Sequence, residues 1–117
     1  TNKEFISDEN YSITLVSGIA NPTPLLDYLE NAGHNIKHLK FADHHNYTPN
    51  DITNILSKYN KDSSTKKLIL TTEKDATKLR VFEKDFSTAN VYYLPIEIDF
   101  EDKEKFEKQL LTYVAKN

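Results

Sequence analysis

Apolar and polar positions along the chain divide it into short strands alternating with one-sided helices. Ser12-Ile13-Thr14-Leu15-Val16 is a β-branched run of the kind that forms a buried strand. It ends at Ser17-Gly18, and Ile19-Ala20-Asn21-Pro22 makes a loop. Thr23 then stands where an N-cap belongs, with Pro24 at the first helical position and Asp27 in the first turn. Leu25, Tyr28, Leu29 and Ala32 recur at helical spacing as one apolar stripe, and Gly33 stops the helix. A second strand is expected over 34–41, with Ile36, Leu39 and Phe41 facing inward. Thr48 and Asp51 have the spacing of a capping box, and Ile52, Ile55, Leu56 and Tyr59 repeat the stripe of a second helix. Residues 60–65 read as a polar loop.

A brief third strand, Lys67-Leu68-Ile69-Leu70, gives way to Thr71-Thr72-Glu73-Lys74-Asp75. Thr72 and Asp75 again have capping-box spacing, which predicts a short helix through Leu79. Beyond it Val81, Phe82 and Phe86 are expected to tuck a loop onto the core. Val91-Tyr92-Tyr93-Leu94 is the fourth strand; after Pro95, Ile96, Ile98 and Phe100 alternate with acidic residues as on an edge strand. Phe106, Leu110, Leu111 and Val114 mark a last amphipathic helix from Asp102 onward. Four alternations of strand and helix predict an α/β fold. It is a small three-layer sandwich, a mostly parallel sheet of about four to five strands with helices on both faces. Residues 1–11 read as a linker or edge strand, and 12–117 as a single domain.

Right-handed connections in such a sheet gather the loops that follow each strand on one edge. These are the stretches 17–22, 42–47, 71–75 and 95–99, and they hold most of the unusual polar residues. The edge beyond the strand carboxyl ends is where open α/β sheets collect ligands. Chemistry is expected there.

Composition narrows the partners. The 117 residues carry 15 basic and 18 acidic side chains, mixed along the chain, for a formal charge of −3. No basic block points to nucleic acid. No apolar run approaches membrane-spanning length, and no signal-peptide pattern opens the chain. The absence of Cys removes disulfides and thiolate metal sites and suits a reducing compartment. The chain starts at Thr1 and contains no Met, as expected of a processed protein or a piece of a larger one.

Asp43-His44-His45 is the densest cluster of chemistry. A carboxylate beside imidazoles suits proton transfer near neutral pH, with the carboxylate orienting one ring. The same residues in a bland reading are a polar loop whose Asp caps nearby backbone. Three of them fall short of a usual metal site without further ligands. His34 and His38, four apart upstream, are expected at the surface. Gly18 either permits a tight turn or lets the loop offer N–H groups to an anion. Lys74 belongs to a capped helix start or meets an anionic ligand. Only Gly18 and Gly33 are present, and neither is followed by Lys, so no phosphate-cradling P-loop and no dinucleotide fingerprint exists here.

Several stretches together resemble the tetraacyldisaccharide 4′-kinase (lipid A 4′-kinase) family. They are Gly18-Ile19-Ala20-Asn21-Pro22, Phe41-x-Asp43-His44-His45-x-Tyr47, Asp51, and Leu70-Thr71-Thr72-Glu73-Lys74-Asp75-Ala76-x-Lys78-Leu79. Tyr92-Tyr93-Leu94-Pro95-Ile96-Glu97-Ile98 fits the family's closing strand, and the likeness runs from about residue 13 to 100. The resemblance implies an enzyme of lipopolysaccharide synthesis on the cytoplasmic face of the bacterial inner membrane. It transfers the γ-phosphate of ATP, with Mg²⁺, to the 4′-hydroxyl of a tetraacyldisaccharide 1-phosphate. An N-terminal part of such a protein carries an anchor and a P-loop domain; this chain resembles the smaller C-terminal domain. The implied partners are that P-loop domain and the lipid, and the chain alone is expected to be inactive. By the resemblance His44 assists a carboxylate base on the other domain, Asp43 orients His44, and His45, Asn21, Thr72, Glu73, Lys74 and Asp75 line the edge. The competing readings are a metal-dependent phosphoesterase of the Asp-His-His type and a non-catalytic docking module.

Overall fold

A computed structural model describes residues 10–94. Of the linker or edge strand expected over 1–11, residues 1–9 lie outside the described residues, as do the edge strand after Pro95 and the last helix.

Four parallel strands form one sheet in the order β2-β1-β3-β4. They are β1 (Ser12–Ser17), β2 (Asn35–Lys40), β3 (Lys67–Thr72) and β4 (Val91–Leu94). Every residue of β1 is buried, as a central strand covered on both faces requires. Its pleat sends Ile13 and Leu15 to one face, where they meet Leu68, Leu70 and Leu94 beneath Leu25 and Leu29 of α1 (Thr23–Asn31). Val16 and Ile69 face the other way, against Ile52, Ile55 and Tyr59 of α2 (Pro49–Lys61) and Leu79 of α3 (Glu73–Leu79). Each such side chain, fully buried, contributes on the order of 2 kcal/mol. The three layers match the expected architecture.

The helices leave to opposite faces because β2 and β3 flank β1 on opposite sides. The strand order therefore reverses between β1 and β3, and a crevice opens there above the strand ends.

α2 is the best-signalled helix. Thr48 Oγ1 accepts the Asp51 N–H, the Asp51 carboxylate accepts the Thr48 N–H, and Pro49 opens the first turn. Lys58 and Lys61 complement its C-terminal end. It runs through residues 60 and 61, which the sequence placed in a loop, and Asp62 beyond it is buried. The burial is explained by bonds: Asp62 accepts the Ser12 hydroxyl and the Ser64 N–H (2.9 Å), with Lys37 Nζ at 3.4 Å. These contacts, the Ser12 hydroxyl first, hold its carboxyl well below the usual range.

Other expectations shift. The N-cap of α1 is Pro22 rather than Thr23, Asp27 lies beyond the first turn, and Ala32 is exposed at the C-cap. Gly33 does end the helix, at φ +92°, where a Cβ would come within 2.8 Å of Asn10 Oδ1. Val81 is exposed, while Phe82 and Phe86 pack as expected. The second strand begins at Asn35 and ends at Lys40, one residue short at each end.

Of the two upstream histidines expected at the surface, His34 is buried and His38 is half-buried. His38 Nε2 and the Ser17 hydroxyl share a 2.7 Å hydrogen bond. His34 is buried, and its Nδ1 accepts the Tyr11 N–H at 3.0 Å, which places the proton of the neutral ring on Nε2. Burial pushes the His34 pKa below its ordinary value. The fold thus favours neutral His34, and this stability is present above the unfolded value, about 6.5, and declines as pH falls below it. The urea midpoint is expected to drop between pH 7.5 and 5, and to drop less in His34→Gln. Equal drops in both proteins would remove His34 as the source.

Candidate functional site

Three of the four expected loops converge at the strand carboxyl ends, and one side chain ties them together. Asp75, in the first turn of α3, is only 2% exposed. Its carboxylate accepts the Gly18 N–H (3.0 Å) after β1, the Tyr47 hydroxyl (3.0 Å) after β2 and the Thr72 hydroxyl (2.7 Å) at the end of β3. Burial pushes the Tyr47 phenol far above its ordinary value, with the Asp75 charge adding to the effect. Tyr47 therefore keeps its proton and donates. The Asp75 carboxylate fills the crevice between β1 and β3, so Gly18 offers its N–H to the protein's own anion. Gly18 is favoured by crowding rather than by a left-handed turn: a Cβ would lie 3.0 Å from both the Ala42 carbonyl and Asp75 Oδ1. The capping box at Thr72 is half formed. Thr72 Oγ1 accepts the Asp75 N–H (3.1 Å), but the Asp75 carboxylate takes the Thr72 hydroxyl and its tertiary donors rather than the Thr72 N–H. Thr72 and Asp75 are buried, and so do not line the open edge.

The Asp43-His44-His45 loop rises from this knot. Phe41 N–H donates to the Ser17 carbonyl (2.8 Å), and His45 N–H closes a tight turn onto the Ala42 carbonyl (3.0 Å). His44 is at the corner with φ +65°, the one left-handed non-glycine residue among those described. Gly or Asn usually fills such a position, and a side chain there costs about 1–2 kcal/mol. Strain of this kind collects at functional sites.

The strain separates the two imidazoles. His44 projects outward with its side chain 75% exposed, its Nε2 3.6 Å from Asp43 Oδ2. His45 turns inward, where its ring packs on Phe41 (4.8 Å) and meets the edge of Tyr47 (5.0 Å). His45 Nε2–H donates to the Asp51 carboxylate at 2.7 Å, and this bond holds Asp51 below the ordinary carboxylate range. Thus Asp51 caps α2 with one contact and anchors His45 with another. Of the two imidazoles, His44 is the one that faces solvent.

Lys74 reaches across from α3, with Nζ 3.0 Å from Asp43 Oδ1. That contact, ahead of the His44 ring, lowers the Asp43 pKa. Lys74 is therefore neither a mere surface residue of a capped helix nor unpaired. Asn21 Oδ1 accepts the Thr23 N–H (3.3 Å) at the start of α1, a local capping contact, and Glu73 opens α3. Among the described residues no three His, Asp or Glu side chains are grouped to hold a metal ion. The metal-ligand reading thus gains no third ligand from them. A groove of about 280 Å³ between α3 and β4, lined by Ile69, Leu79, Phe86 and Tyr93 among others, takes no side chain from the Asp43–His45 turn.

A model of the tetraacyldisaccharide-1-P 4′-kinase family matches residues 2–115, nearly the whole chain. The chain belongs to that family. Curated tetraacyldisaccharide 4′-kinases agree. That of Bacteroides thetaiotaomicron is 39% identical over 92% of this chain, and that of Phocaeicola vulgatus 35% identical over 98%. The Cytophaga hutchinsonii kinase is 40% identical over 76%. The chain spans 30%, 32% and 25% of these relatives' own lengths. No solved structure matches it. No helix of the described residues is long and apolar enough to cross a membrane.

Membership of this kinase family explains why the motif stretches occur together without explaining their contacts. Tyr47, Asp51 and Lys78 belong to those stretches, yet sequence reasoning assigned them no site role. Lys78 Nζ donates to the His45 carbonyl at 2.9 Å. One signal was available: Lys74 and Lys78 are four apart, and so share one face of a short helix.

Proposed function

We propose that this chain is the C-terminal domain of a lipid A 4′-kinase, acting at the cytoplasmic face of the bacterial inner membrane. A P-loop domain elsewhere in the protein holds ATP, and the edge bearing His44 faces it across the substrate cleft. The acceptor is the 4′-hydroxyl of tetraacyldisaccharide 1-phosphate. In the transfer, the 4′-oxygen bonds the γ-phosphorus while the bond to the β,γ-bridging oxygen breaks, and ADP departs. The hydroxyl proton passes to a carboxylate base on the other domain, which the His44 imidazole assists, and Asp43 orients that ring. Phosphoryl transfer depends on positioning and charge stabilisation more than on covalent chemistry, so a fixed imidazole is a sufficient contribution. Mg²⁺, when bound, would neutralise charge on the ATP phosphates and enter with the nucleotide.

One observation carries this reading: a strained, exposed His44 beside a carboxylate, on an edge whose other histidine is locked inward. The test is phosphorylation of tetraacyldisaccharide 1-phosphate by the full-length protein with Mg-ATP. Product is expected from the full-length protein and none from residues 1–117 alone, which lack a phosphate cradle. No product from the former, or turnover by the latter, would overturn the assignment.

A further inference from the structure

Three side chains of α3 reach the loop that carries His44. Lys74 Nζ meets Asp43 Oδ1 (3.0 Å), Lys78 Nζ meets the His45 carbonyl (2.9 Å), and Asp75 meets Tyr47 (3.0 Å). Asp75 also bonds Gly18 and Thr72, so it serves the whole edge. The two lysines touch the turn at its two sides. Between their contacts lies His44, the residue in a conformation that a free loop would abandon.

We propose that Lys74 and Lys78 are positioning residues that clamp the Asp43–His45 turn and so keep His44 aimed outward. The proposal rests on the proton-assisting role of His44 and adds what holds that ring in place. A left-handed histidine persists only when its surroundings over-determine it. The His45 N–H bond to Ala42 closes the turn, and the His45 ring ties it to Asp51 on the α2 side, which leaves the side facing α3 to be held by other contacts. The two amines hold that side from one helix face, one turn apart. Lys74 also sets how the Asp43 carboxylate is shared. Oδ1 is taken by the amine and Oδ2 faces His44, so the carboxylate cannot swing away from the ring.

The experiment has two arms. In the 117-residue chain, amide exchange of His45 is expected to be about tenfold faster in the Lys74→Ala/Lys78→Ala double variant, with core amides of β1 unchanged. The Asp43 carboxyl is expected to titrate closer to the ordinary range in Lys74→Ala, since its main perturbing contact is gone. In the full-length kinase the double variant is expected to lose about tenfold in kcat with KM for lipid and ATP within twofold, because misplacement of a reacting group is read in turnover. Lys74→Arg, which can still pair with a carboxylate, is expected to recover most of it. Unchanged His45 exchange overturns the clamp. Faster exchange with unchanged kcat also overturns it when His44→Ala is impaired in the same assay. If His44→Ala itself turns over normally, the catalytic reading of His44 fails instead, and the exchange result alone decides whether the clamp exists.

Discussion

Turnover of the full-length protein is expected, on the role proposed for His44, to fall about 100-fold in His44→Ala, within the range for a group that handles a proton in the transition state. KM is expected to change little, because a ring that acts on the moving proton adds little to ground-state binding. Stability should not fall. His44 is exposed and makes no packing contact that the fold needs, and its left-handed backbone is itself a strain. His44→Gly makes the separation sharper. Glycine adopts φ +65° freely, so this variant should be more stable by about 0.5–1 kcal/mol while being as inactive as alanine. His45→Ala should behave in the opposite way. It removes the bond to Asp51 and the ring contacts with Phe41 and Tyr47, so it unfolds more easily. Steady-state kinetics beside thermal melts of the three variants read all of this. Full turnover in both His44 variants would remove the residue from the mechanism.

Asp75→Ala is expected to be the most damaging single change to stability, by about 3–5 kcal/mol. The carboxylate is 2% exposed and satisfies three donors from three separate strand-end loops. Removing it strands the Gly18 N–H and the Tyr47 hydroxyl away from water, at about 1–3 kcal/mol each, and leaves a void between them. For a domain of this size the melting temperature should fall by roughly 15 °C. Asp75→Asn should retain an acceptor for Tyr47 but turn an N–H₂ toward the Gly18 and Thr72 donors, and so fall between alanine and the parent. Chemical denaturation of the three proteins orders them. A melting temperature in Asp75→Ala within a few degrees of the parent would mean that the loops are held together by something other than this carboxylate.

The architecture was legible because it depends on local and periodic signals. The run Ile13–Val16, the stripe Ile52, Ile55, Tyr59 and the Thr48/Asp51 box each declare an element without reference to the rest of the chain. Where such signals were weak or displaced, the reading slipped by one residue, as at Pro22 and Thr23. Polar residues were harder. Asp62 looks like loop and Asp75 like a helix cap, yet both are buried, because their partners Ser12, Gly18 and Tyr47 are distant in sequence.

By itself, then, the amino-acid order determined four strands, three intervening helices and a shared edge for the Asp-His-His turn and the Thr72–Asp75 stretch. It also carried enough motif to mark the kinase family. Only the tertiary structure decided which imidazole is offered to solvent, since that choice follows from one left-handed backbone angle and from Asp51 capturing His45. It alone showed that a buried carboxylate sits where β1 and β3 end and that two lysines of α3 contact the Asp43–His45 turn. Periodicity reports which face of an element is buried, whereas hydrogen bonds between loops depend on where the sheet brings their ends together.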